Sequence, residues 1–144
     1  MTPDEAEAHL FDRLRRRDPD RFFAASFSPA PVRARLLALY GLHHELADIA
    51  ETVREPMIGQ IRLAWWREAL PAIGAGEPPG HPVAIALAEA LRPEGLAGVL
   101  LPRLEALVEA RAEALEAEPP DTLEALAGRV EAEAGTLAEA ATCL

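Results

Sequence analysis

Residues 31–70 read PVRARLLALYGLHHELADIAETVREPMIGQIRLAWWREAL. From Pro31 to Arg54 an apolar stripe falls at positions 32, 36, 39, 46, 50 and 53, with His43 lying on it. Alternating steps of four and three describe one face of an amphipathic helix. Tyr40, His44, Asp48, Glu51 and Glu55 keep the same steps on a neighbouring face, with Ala47 among them. That face is centred about 130° from the apolar one. Pro56 cannot continue the first helix but suits the first turn of the next. The second helix carries Met57, Ile58, Ile61, Leu63, Ala64, Trp65, Trp66, Leu70 and Ile73 over more than half its circumference. Such a wide apolar arc predicts burial on several sides.

The segments on either side are helical too. Thr2-Pro3-Asp4-Glu5 spells a capping box, and its helix carries Leu10, Phe11 and Leu14 to an end near Arg17. Asp18-Pro19 starts a short helix through Phe22, Phe23 and Phe27, whose aromatic rings predict core or cavity wall. The loop from Gly74 to Gly80 is the clearest break in the chain. Pro82 opens a helix that ends at Arg92-Pro93, and Leu96 to Glu118 continues as helix with Pro102 inside it. Asp121-Thr122-Leu123-Glu124 resembles another capping box. It starts a last helix expected to turn Leu123, Leu126, Val130, Ala134, Leu137 and Ala141 inward. No stretch alternates like a strand, so the fold class is an all-α helical bundle.

At 144 residues the chain has the length of one domain with a core of its own. Its net charge is −10, and every basic residue is arginine. Such a surface repels phosphate backbones, which excludes nucleic acid as a partner. Arg15-Arg16-Arg17 reads as a solvated helix end. The single Cys143 rules out an internal disulfide and fits a reducing compartment. No apolar run has the ~18–20 residues of a membrane span. A cytoplasmic location is expected, with peripheral membrane association left open.

Two carboxylates three or four residues apart on one helix can share a hard cation, which makes Asp48 and Glu51 candidate Mg²⁺ ligands. A metal held there could bind a diphosphate and help it leave. The same stripe also reads as an ordinary solvated face in so acidic a chain. His43 reads as a core histidine. Ser26, Ser28 and Cys143 lack any context for nucleophilic catalysis, and no catalytic residue is identified.

Arg21-Phe22-Phe23-Ala24-Ala25, Arg33, Leu36, Leu39-Tyr40-Gly41-Leu42, Glu55-Pro56 and Trp65-Trp66-Arg67-Glu68-Ala69-Leu70 together resemble the squalene/phytoene synthase family. His81-Pro82-Val83, Glu109-Ala110-Arg111 and Ala134-Gly135-Thr136-Leu137 come after them in the expected order. The resemblance implies the N-terminal part of an isoprenoid synthase fold, in a single, incomplete domain over residues 1–144. It implies Mg²⁺ at Asp48 and Glu51, and a prenyl diphosphate or isoprenoid lipid near Tyr40, His44, Arg62 and Arg67. If active, such a protein would be an Mg²⁺-dependent prenyltransferase. The family's first aspartate-rich motif is altered here, with Ala47 for an aspartate, Glu51 for another and His44 for an arginine. The second such motif should come after Ala134-Gly135 and is not reached by Leu144. Ligand binding is therefore expected ahead of full catalysis. Glu55-Pro56-Met57, Gly59-Gln60-Ile61-Arg62-Leu63 and Trp65-Trp66-Arg67 resemble the branch that includes the mitochondrial NADH dehydrogenase assembly factor. That resemblance implies a non-catalytic scaffold, with a protein partner or a homo-oligomer.

Overall fold

Caps and prolines set where the helices begin. The computed structural model describes residues 1–144. Its helices are α1 (Pro3–Arg17), α2 (Pro19–Ser26), α3 (Ala30–Thr52), α4 (Pro56–Gly74), α5 (Pro82–Ala90), α6 (Leu96–Glu116), α7 (Leu123–Val130) and α8 (Thr136–Thr142). In the capping box of α1, the Thr2 hydroxyl accepts from the Glu5 amide and the Glu5 carboxylate accepts from the Thr2 amide. Asp18 ends α1 and caps α2 by accepting from the Arg21 amide. Gly95, with φ of +80°, turns the chain into α6. The cap of α7 is Thr122, one residue later than a box starting at Asp121 would place it.

The long helix α3 is central. It packs against α1, α2 and α5, against α4 and α6, and near its start against α8. The largest pairing is α4 with α6, which run antiparallel, with Gly59 beside Leu115 and Gly74 beside Leu101. Leu42, Leu46, Leu63, Leu70, Val83 and Leu104 lie in one continuous core. Gly41 lets α1 approach α3 closely, since a Cβ there would sit 2.9 Å from Leu10 Cδ2.

Several expectations about burial need correction. On α3, Leu39 and Leu46 are buried as expected, but Ala50 is exposed and Leu37, Ala38, Leu42 and Ile49 are buried instead. Several neighbours cover α3, so its buried arc is broader than one stripe and is rotated from the expected one. Phe23 and Phe27 form an edge-to-face pair on the surface, 66% and 78% exposed. Of the three rings only Phe22 is part-buried, edge-on to Phe11, and Ala25 is the residue of α2 that is buried. The helix α4 is buried on one side alone, through Gly59, Leu63, Trp66, Ala69, Leu70 and Ile73. Its second apolar stripe faces outward.

The last helix is not continuous. Residues Glu131–Gly135 wind as a π-turn between α7 and α8. The looser winding rotates α8 out of phase with α7. Leu137 and Ala140 still reach the core, but Leu123, Leu126 and Val130 stay exposed.

Candidate functional site

The polar face of α3 is engaged by the first two helices. Asp48 receives Arg13 Nη2 at 3.0 Å and Arg17 Nη1 at 2.9 Å. Arg17 makes a second contact with the other Asp48 oxygen, and Arg13 also grips Glu45. Glu51 stands at the edge of this group, 3.6 Å from Arg17 and mostly exposed. One turn earlier, His44 Nε2 donates to Asp18 Oδ2 at 2.8 Å. The same oxygen accepts from Arg21 Nη1 at 2.8 Å. The Arg21 guanidinium also lies over the Tyr40 ring, 5.7 Å from its centroid. From Tyr40 to Glu51, then, the stripe faces arginines and a carboxylate from α1 and α2.

Within this group the surroundings shift the titration of Asp18 and Tyr40. Burial raises the Asp18 carboxyl, but hydrogen bonds from Arg21 and His44 outweigh it, and the net position is below the usual aspartate range. The stability Asp18 contributes is thus fully present above the ordinary aspartate pKa and is lost as pH falls below it. Asp18→Asn keeps an acceptor for the cap but removes the charge. It should cost about 1 kcal/mol at neutral pH, read as a lower urea midpoint, and the cost should shrink as pH falls below the ordinary aspartate range. Burial pushes the Tyr40 hydroxyl upward.

The sequence-based reading placed Mg²⁺ on Asp48 and Glu51. As arranged, both carboxylates face Arg17, which a metal bound there would have to displace. Of the expected diphosphate contacts, Tyr40 and His44 lie on α3 in the network just described. Arg67 is turned to α6, where its Nη2 donates to Glu109 Oε2 at 3.0 Å. Arg62 is exposed and makes no ion pair. A groove of about 800 Å³ lies elsewhere, between the start of α1, the first half of α3 and the end of α5. None of the six candidate residues lines it.

Local periodicity missed Arg13, Arg17 and His81. Arg13 and Arg17 meet Asp48 from 35 and 31 residues away. His81 caps α5 by accepting from the Val83 amide at Nδ1, 3.2 Å away, which leaves Nε2 facing Glu45 at 3.8 Å. Its ring meets both Trp65 and Trp66. The Asp18-Pro19 and His81-Pro82 pairs were the legible signals for the two caps.

Comparison with known proteins gives these contacts a setting. Over 90 residues the chain is 33% identical to NADH dehydrogenase (ubiquinone) complex I, assembly factor 6, of Bos taurus, covering 62% of this chain and 27% of that protein. The Homo sapiens protein of the same name is 32% identical over 88 residues, 61% of this chain and 26% of its own length. The matched segment thus spans about a quarter of these curated relatives. No solved structure matches. No helix is long and apolar enough to cross a membrane. The family model for squalene/phytoene synthase matches residues 14–144, which takes in every helix from α2 onward and all six candidate residues. The chain belongs to the squalene/phytoene synthase family.

Proposed function

We propose that this chain serves as a non-catalytic helical scaffold of the assembly-factor type. The observation that carries the reading is the grip of Arg13 and Arg17 on Asp48, the one aspartate left in the stripe. Two guanidinium groups satisfy the carboxylate that would otherwise face a metal. The similarity to proteins named as complex I assembly factors supports the same direction. By that similarity the partner would be a protein met during assembly of a larger complex.

A second reading is favoured by membership of the family. It keeps a prenyl diphosphate or isoprenoid lipid as ligand, held by Tyr40, His44, Arg62 and Arg67, with Mg²⁺ on Asp48 and Glu51. It requires Arg17 to leave Asp48 when the metal arrives. Titration calorimetry with farnesyl diphosphate separates the two. The scaffold reading expects no heat of binding at millimolar ligand, with or without MgCl₂. Saturable binding that needs Mg²⁺ and is lost in Asp48→Asn would overturn it and establish the second.

A further inference from the structure

The outward stripe of α4 consists of Met57, Ile58, Ile61 and Trp65, which are 75%, 44%, 64% and 40% exposed. The helix already has a buried face, so this stripe contributes nothing to its own core. Together the four side chains make a contiguous apolar patch on the order of a few hundred Å², comparable with the largest patch on a typical monomer, which is often functional.

The charges at the two ends of the stripe point to its occupant. Arg54 stands just before the first turn of α4, three residues ahead of Met57. Glu68 stands on the helix three residues beyond Trp65. Both are exposed, and neither pairs with another side chain of its own chain. On the helix, Met57, Ile61 and Trp65 are spaced four and four, with the cation before the first turn and the anion three residues past Trp65. That order reads the same from either end, while its terminal charges are opposite. A pattern of this kind complements itself when inverted, which is the requirement of a two-fold interface.

We infer that the outward face of α4 is a homodimer interface, in which two copies of the helix pack antiparallel about Ile61. The axis at Ile61 brings Met57 against the second copy's Trp65 and Arg54 against the second copy's Glu68, each twice. The antiparallel arrangement also sets the helix dipoles head to tail. Four apolar side chains per copy, with a charged pair at each end, place the contact among small, reversible interfaces, below about 1,200 Å² in total. The inference goes beyond the scaffold reading and stands whether or not that reading holds.

Sedimentation velocity of the full chain over roughly 5–500 µM tests it, since contacts of this size pair in that range. A concentration-dependent dimer is expected, and Ile61→Glu should raise its dissociation constant at least about tenfold. Arg54→Glu and Glu68→Arg should each weaken self-association about fivefold, because each sets like charges opposite one another at both ends. An equimolar mixture of those two variants restores both ion pairs and should dimerise within about twofold of wild type. Within one copy the two residues are about 20 Å apart along the chain, so an internal contact cannot produce that rescue. All three are surface substitutions, and an unchanged melting temperature at low concentration confirms their fold. A chain that stays monomeric throughout overturns the inference. So does a dimer indifferent to Ile61→Glu, or a mixture that dimerises no better than its components.

Discussion

Replacing Trp66 by alanine is expected to cost about 3–5 kcal/mol, whereas the same change at Trp65 should cost about 1–2 kcal/mol. The two residues are neighbours in sequence and edge-to-face in space, with ring centroids 4.8 Å apart. Their surroundings differ. Trp66 is 3% exposed and sits in the core among residues of α3, α5 and α6. Trp65 lies on the outward stripe and touches the bundle through His81. Truncating Trp66 removes a large apolar surface and leaves a cavity that a close-packed interior closes only in part. For a chain of this length the midpoint of thermal unfolding should fall by about 10 °C or more. Trp66→Phe should recover most of the loss. Thermal melts at a concentration where the chain is monomeric check the contrast, and equal losses at the two positions would contradict it.

Acidification should destabilise the protein between pH 6.5 and about 4, and His43 should account for much of the effect. Burial lowers the His43 imidazole to about 4, and the nearby charges of His44, Arg21 and Arg111 push the same way, against a smaller opposite pull from Asp18. Folded His43 is therefore neutral at pH 7. Over this window the unfolded chain takes up a proton that the folded chain refuses. Stability is then complete above pH 6.5, falls as pH drops, and loses nothing more from this group below about 4. The ring is only part-buried, so screening reduces the full linkage to an effect on the order of 1–2 kcal/mol. His81 is also lowered, mainly by burial, and adds a slope of the same sign. Urea unfolding at pH 7, 5.5 and 4.5 should show the decline in wild type and a shallower one in His43→Leu. An identical slope in the variant would rule out His43 as its source.

Helix boundaries were legible in the sequence because they are set by local chemistry. Thr2 with Glu5, Asp18 with Pro19, and the prolines at 56 and 82 each act within one turn of themselves. Family membership was legible for a related reason, since short pieces in a fixed order survive without any knowledge of packing. Which face a helix buries was less legible. Leu36-Leu37-Ala38-Leu39 fits several stripes equally well, and only the neighbours of α3 decide among them. On α4 the wide apolar arc was real, but half of it faces outward from the core. The π-turn at Glu131–Gly135 has no periodic signature, and it separates Leu126 from the core that Leu137 reaches.

The candidate site was half legible. The polar stripe of α3 exists and its members do interact. What they meet comes from α1 and α2, at a sequence distance no helical period reports. Arg17 read as the solvated end of α1, and it reaches across to Asp48 instead.

Two guanidinium groups carry the same charge as one divalent ion. By laying Arg13 and Arg17 along α3, the first helix gives Asp48 and its neighbours counter-ions that are covalently attached to the chain. Dialysis cannot remove them and a chelator cannot strip them. As placed, two of the three negative charges of Glu45, Asp48 and Glu51 are balanced from within the chain itself.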